Sequence, residues 1–541
     1  MLAGMTTPAL HTLNHAAVRR ALLAREEIAL LDLREEDPFA QCHPLWAANL
    51  PLSRIELEAW RRIPRRDTTL VLYGEHDGED LVPRAAAVLA ALGYTRLFAL
   101  EGGLAGWQAA GGEVFRDVNV PSKSFGELVE HERHTPSLAA EELQALIASG
   151  ANAVVLDARR FDEYQTMSIP SATSVPGAEL VLRVRALAPD PRTQVIVNCA
   201  GRTRSIIGTQ SLVNAGIPNP VAALRNGTIG WLLAGQVLDH GASRRAPAAV
   251  DPQHLAASLQ AATQLAERAG VRSITPEALA RLRAEPGRTV HCFDVRTPEE
   301  YAAGHLPGFA NAPGGQLVQE TDHQVPVRGA TLVLADDDGV RARMTASWLA
   351  QMGWAVHVLA GQRAGDGGEA GAQAVVLPPA PDTERLTPAQ LQAALADGST
   401  LVIDLGPGQA YAKAHIPGAW FAIRAQLRQA LDALPRAARY VLTSADGVLA
   451  TYAAADLRTL LAAREQAAQV LVLDGGTNAW AAAGLPLEPG EARLATPRTD
   501  RYRRPYEGTD APREAMQGYL DWEFGLVEQL GRDGTHHFHV V

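Results

Sequence analysis

Two stretches decide the fold: Ala153–Tyr164, AVVLDARRFDEY, and Thr193–Ser205, TQVIVNCAGRTRS. In each, an apolar run of strand length breaks abruptly into a polar loop, the pattern of a strand buried on both faces of a parallel sheet. The first run ends at Asp157, and Cys199 follows the second run 42 positions later. The same pairing recurs as ALLDLREEDPF with TTLVLYGEHDG, VHCFDVRTPEEY with ATLVLADDDGV, and TLVIDLGPGQAY with RYVLTSADGV. Asp32 to Gly74 and Asp294 to Asp336 are again 42 positions, and Asp404 to Ser444 is 40. Between the two runs lies a proline turn, MSIPSATSVP, GHLPGFANAP, AHIPGAWFAI and, more loosely, CHPLWAANLP. After them comes a tryptophan segment, around Trp107, Trp231 and Trp480, of which the third repeat keeps only VLAGQ. Strand, turn, strand, helix, strand is an alternating α/β pattern, so four tandem domains are expected, each with a parallel sheet covered by helices. They are placed at residues 10–118, 135–240, 273–377 and 385–492, followed by a tail over 493–541.

A chain of 541 residues exceeds what one core organises, which agrees with a modular reading. No run of about 18 uncharged apolar residues is present to span a membrane, and the first twenty residues lack a secretory pattern, so a cytoplasmic protein is expected. The formal charge of −11 and the absence of a basic stripe disfavour a nucleic-acid partner. Cys42, Cys199 and Cys292 are far apart and form no CxxC pair, which argues against a disulfide framework or a zinc site. Neither metal nor organic cofactor is expected.

Cys199 is singled out by its surroundings. QVIVN reads as a strand and SIIGTQSLVNAG as the following helix, closed by Gly216, so the thiol lies on a loop before a helix N-terminus. Free N–H groups and the helix dipole make such a loop an anion site and are expected to lower the thiol pKa. Gly201 permits a tight backbone path, and Arg202 and Arg204 are expected to add charge to the cradle. Cys292, two residues before a strand end, reads as a small buried hydrophobe, and Cys42 as an incidental thiol. Gly74, Asp336 and Ser444 occupy the Cys199 position in the other repeats. Asp336, Asp337 and Asp338 are expected to be a solvated cluster, and Asp157 to accept backbone hydrogen bonds at its strand end. In the tail, MQGYLDWEFGLVEQL is expected to form one amphipathic helix docked on a domain, while His536, His537 and His539 make only a weak metal candidate. The apolar positions Leu255, Leu259 and Leu265 suggest a helix packed between the second and third domains.

The combination LDARRFDEY, SIPSA, VIVNCAGRTRS and LRNGTIGWLLAG resembles the rhodanese, or sulfurtransferase, superfamily, and the other repeats resemble the same domain with altered loops over roughly residues 10–490. The resemblance implies small doubly wound domains, each around a five-stranded parallel sheet. It implies that Cys199 carries a persulfide, with the donor held by Ala200, Gly201, Arg202, Thr203, Arg204 and Ser205. Arg159 would either attract the donor or pair with Glu163. Thiosulfate is the default donor; cyanide, sulfite, a small thiol or a sulfur-carrier protein would accept. The three domains without the cysteine are expected to be silent and to serve as scaffold, pocket walls or dimer contacts. Cysteine-dependent phosphatases and arsenate reductases place five residues between cysteine and arginine, whereas Cys199 and Arg204 enclose four, a cradle better matched to a sulfur atom than to phosphate. The competing reading is a non-enzymatic persulfide carrier, loaded by a partner enzyme.

Overall fold

The computed structural model describes residues 10–508 and 510–541. Four five-stranded sheets follow one another, every strand pair parallel. In the second, Ser137–Leu138, Val221–Leu224, Gln194–Asn198, Ala153–Asp157 and Thr173–Ser174 lie side by side in that order. The other three sheets repeat the order first, fifth, fourth, second, third. The chain leaves the second strand toward one edge and the fourth toward the other, so a crevice opens at their carboxyl ends, where ligands bind in open α/β sheets.

The repeated spacing has a direct geometric meaning. Asp157 pairs in register with Asn198, as Asp32 does with Tyr73, Asp294 with Ala335 and Asp404 with Thr443. Each strand-ending aspartate therefore flanks the residue just before the Cys199 position. Trp107, Trp231 and Trp480 are core residues as expected, each donating its indole N–H to a carbonyl six residues on, Glu113, Val237 and Pro486, at 3.0, 2.8 and 2.8 Å. In the third domain the corresponding helix is replaced by the short turn Ala364–Asp366.

The helix Pro252–Arg268 packs between Leu180–Leu187 of the second domain and Val340–Gln351 of the third, with Ser258 donating to the Val181 carbonyl at 2.8 Å. The segment between the first two domains, which in sequence is only a joining stretch, is the helix Val120–Arg133. It buries Ser122, Lys123, Ser124 and Glu127 beside Phe125 and Val129 and packs on Thr203–Asn214. Polar residues on its inner face hide it from a periodicity reading. The tail forms two helices rather than one, Arg513–Phe524 and Leu526–Asp533, because the chain breaks at Gly525.

The first and fourth domains are joined by a buried bidentate pair. Arg424 donates Nη1 and Nη2 to the two oxygens of Glu56 at 2.7 Å each, and Nε to Asp456 at 2.7 Å. Glu56→Ala is expected to cost about 2–3 kcal/mol in denaturant titration, below the range for a wholly orphaned buried charge because Asp456 still holds Nε.

Candidate active site

The strand Gln194–Asn198 delivers Cys199 onto a four-residue loop, and the helix Thr203–Asn214 starts directly after it. A second helix start shapes the loop from below: Thr228 and Ile229 donate their N–H groups to the carbonyls of Cys199 and Ala200 at 2.9 and 3.1 Å, and the Thr228 hydroxyl adds 3.1 Å to Ala200. With its carbonyls held there, the loop keeps them away from the thiol, which the Ser205 N–H reaches. Gly227 has φ +53°, and a Cβ on it would lie 2.3 Å from the Cys199 carbonyl oxygen, so only glycine allows this approach. The same pin recurs in the first domain, where Leu104 and Ala105 hold Gly74 and Glu75, and in the fourth, where Thr477 and Asn478 hold Ser444 and Ala445.

Cys199 is 1% exposed. Its Sγ lies 3.4 Å from Ser205 Oγ, which itself donates to the Arg202 carbonyl at 2.8 Å, and the Ser205 N–H also reaches the sulfur. The expected lowering of the thiol pKa does not occur. Burial pushes it up, against Arg204 and the Ser205 bonds, because loss of solvent costs the thiolate more than the cradle returns.

The arginines are committed elsewhere. Arg202 turns away from the thiol: Nε and Nη2 bond Glu127 at 2.7 and 2.9 Å, Nη2 meets Glu130, and the Phe524 ring lies 4.3 Å below the guanidinium. Arg204 stays near, paired bidentately with Glu163 at 2.7 and 2.9 Å. Arg159 does not pair with Glu163. It binds Asp157 at 2.9 and 2.8 Å and the Met167 carbonyl at 2.6 Å. Arg34 and Arg296 make the same bonds to Asp32 and Asp294 and to the carbonyl eight residues on, in domains without the cysteine. Arg159 is thus a fold element, a strand-end clasp. Asp157 accepts the Arg159 N–H at 3.1 Å, the role expected from its place in sequence. A cleft of about 1170 Å³ lined by Arg159, Glu163, Met167, Arg204 and Tyr506 approaches this side of the domain. Ala200 and Thr203 are buried loop and helix-start positions, Thr203 lying against Gly126 of the joining helix.

The equivalent loops elsewhere are filled by the chain itself. The acidic cluster of the third domain is not solvated: Asp336 accepts the N–H groups of Gly339 and Ala342 at 2.9 and 2.8 Å, and burial pushes it up to about 7. Asp338 binds Arg341, which grips Glu300 as Arg204 grips Glu163. In the first domain Glu79 accepts the Glu75 N–H at 2.8 Å, with its Oε2 2.3 Å from where a side chain on Gly74 would begin. In the fourth, Ser444 Oγ accepts the Ala450 N–H at 3.4 Å. Cys292 is buried in the core and Cys42 half-buried against Gln108. Among the described residues no group of His, Cys, Asp and Glu is arranged to hold a metal, and the tail histidines are no exception.

The docked tail expected from the sequence lies over the Cys199 loop, a surface the sequence did not identify. A Cβ on Gly201 would lie 3.2 Å from Tyr519 Cε1 and 3.5 Å from Glu523 Oε2, so the tail helix sits directly on the loop. The available signal was the four-residue spacing of Tyr519 and Glu523 on the helix's inner face; nothing local identified the surface that would receive them.

The family model for the rhodanese-like domain matches residues 16–110, 139–234, 275–362 and 387–483. The chain belongs to the rhodanese family of sulfurtransferases and carries four copies of its domain. It is similar to the crystal structure of a thiosulfate sulfurtransferase from Pseudomonas aeruginosa, 63% identical, covering 98% of this chain and 100% of that one with a TM-score of 0.96. A protein from Bacillus halodurans is 24% identical over 20% of this chain and 77% of its own, TM-score 0.19. A rhodanese-related protein from Thermoplasma volcanium is 19% identical over 19% and 97%, TM-score 0.17. No curated protein sequence matches. Among the described residues no helix is long and apolar enough to cross a membrane.

The Arg204–Glu163 clamp yields a pH prediction. Burial opposes the Glu163 charge, yet Arg204 first, then Arg159 and Arg160, hold it down at about 2, against an ordinary value of 4.5. A depressed carboxylate stabilises the fold above its unfolded value and loses that contribution as pH falls through the folded value. Glu163→Gln is therefore expected to remove about 3 kcal/mol of the pH dependence of stability between pH 4.5 and 2, read as a shallower acid limb in denaturant midpoints.

Proposed function

We propose that this protein transfers sulfane sulfur from a small anionic donor, thiosulfate by default, through a persulfide on Cys199, and that the other three domains are catalytically silent. One observation carries the reading. Of four equivalent loops, two hold a carboxylate of the chain, Asp336 or Glu79, and one a serine hydroxyl, while only the second presents a thiol. In the third domain Asp336 accepts two N–H groups, which marks the helix start as a place for a hydrogen-bond acceptor.

In the proposed cycle the Cys199 sulfur attacks the outer sulfur of thiosulfate. A sulfur–sulfur bond forms to Cys199 as the donor's own breaks, and sulfite leaves with the electron pair. The persulfide carries its charge one atom further out at the helix start where the Ser205 N–H reaches the sulfur, and an acceptor thiol, sulfite or cyanide then removes the terminal sulfur. Arg204, neutralised by Glu163 but close to Cys199, steadies the charge that develops there. Arg202 and Arg159 act on the scaffold around the loop. The four residues enclosed between Cys199 and Arg204 fit sulfur transfer in preference to phosphate chemistry.

The enclosure of Cys199 favours turnover of small molecules over loading by a partner enzyme, which requires a thiol that a protein can reach. The proposed domain limits remain 10–118, 135–240, 273–377 and 385–492, with the tail acting as part of the second domain's site. Brief incubation with thiosulfate followed by intact-mass measurement is expected to add one sulfur atom to the wild type and none to Cys199→Ser, with sulfite released in step and turnover on adding cyanide. A wild type that gains no sulfur excludes thiosulfate as donor. Equal gain in Cys199→Ser removes Cys199 from the reaction.

A further inference from the structure

Sulfur transfer through a buried thiol requires the S–H proton to leave before or as the sulfur attacks. Arg202 and Arg204 are cations and cannot take it, Ser205 Oγ accepts the S–H at 3.4 Å but is an alcohol and no base at neutral pH, and among the described residues no histidine hydrogen-bonds Cys199. Beside the loop, Asn198 Oδ1 is an unpartnered acceptor but an amide; a carboxyl with free acceptor capacity is Glu523, on the tail helix Arg513–Phe524. It is 0% exposed; Oε1 accepts the Tyr519 hydroxyl at 2.7 Å, and Oε2, which has no hydrogen-bond partner among the described residues, lies against Gly201.

Resting on the persulfide reading of Cys199, we propose that Glu523 is the proton acceptor for its thiol, supplied to the second domain by the C-terminal tail. The transfer balances without a further reactant. Cys199–SH gives its proton to the Glu523 carboxylate as its sulfur bonds to the outer sulfur of thiosulfate, and the donor's sulfur–sulfur bond breaks with its electron pair on sulfite. Glu523 then returns the proton to the departing sulfite, so thiol plus thiosulfate dianion becomes persulfide anion plus hydrogen sulfite.

The charges around Glu523 suit this exchange. From the joining helix, Lys123 and Glu127 face it; from the loop, Arg202 and Cys199; from its own helix, Tyr519; and Tyr506 packs on Tyr519 with ring centroids 5.2 Å apart. Lys123 is neutralised by Asp117 at 2.7 Å and Arg202 by Glu127 and Glu130, so no unpaired cation holds the carboxylate ionised. Burial, then the Glu127 charge, push Glu523 up to about 8, and its charge in turn raises the Cys199 thiol.

The test is the pH dependence, from 6 to 10, of single-turnover sulfite release from thiosulfate, measured on the full chain with wild type, Glu523→Gln and Tyr519→Phe. Wild type is expected to gain rate through an inflection near pH 8 and to level off above it. Glu523→Gln keeps the shape and the Tyr519 contact but cannot accept a proton. It is expected to be slower by about 100-fold at pH 7 and to lose that inflection, while still gaining one sulfur on long incubation. Tyr519→Phe removes a donor that favours the carboxylate, so its inflection is expected to move to higher pH; this arm stands even if Glu523→Gln fails to fold. An unchanged profile in Tyr519→Phe, or a Glu523→Gln rate within twofold of wild type with the same inflection, overturns the proposal while leaving the persulfide reading intact. A wild type that never gains sulfur on Cys199 defeats both.

Discussion

The strand-to-helix loop is held from below, and the behaviour of the site follows from that. Two N–H groups at the start of Gly227–Leu233 take the carbonyls of Cys199 and Ala200, which leaves the loop's own N–H groups to converge on whatever the loop contains. A ring of converging dipoles without a counter-charge is unfavourable when buried, so the fold answers it in each domain. Asp336 and Glu79 answer it with a carboxylate from the chain, and Ser444 with a hydroxyl. At Cys199 the occupant is a thiol whose ionisation burial disfavours.

That arrangement sets two forces against each other. Converging N–H groups and Arg204 favour a charged sulfur, whereas burial disfavours it, and burial prevails in the resting site. A thiol kept neutral at rest is shielded from indiscriminate chemistry, since the thiolate is the reactive form. On the proposed reading, ionisation is coupled to arrival of the donor, and Glu523 is the group proposed to take the proton.

The fold was legible because it rests on short-range rules. Apolar runs of five residues ending in aspartate, a proline turn, and a second run whose following loop lies 42 positions on in three repeats and 40 in the fourth are enough to place two adjacent central strands four times over. The loop that carries Cys199 was legible for the same reason, since the strand before it and the helix after it are both marked in the sequence. The helix Val120–Arg133 was not, because its buried face carries Lys123 and Glu127, whose burial is tolerable only with Asp117 and Arg202 as partners. The partners of Arg202 were likewise not legible. Arg202 lies three residues from Cys199 in sequence, but its charge is neutralised by Glu127 and Glu130, contributed by a helix more than seventy residues away.

The sequence by itself determined four parallel α/β domains, the loop that carries the thiol, and the absence of that thiol from the other three, since backbone patterning and residue identity are local properties. Tertiary structure alone decided the electrostatics of the site: which arginine remains beside the sulfur, how deeply the thiol is buried, and that Tyr519 and Glu523 cover it from the far end of the chain. Charge and solvation are set by whatever lies within a few ångströms, and here those neighbours come from segments that only folding brings together.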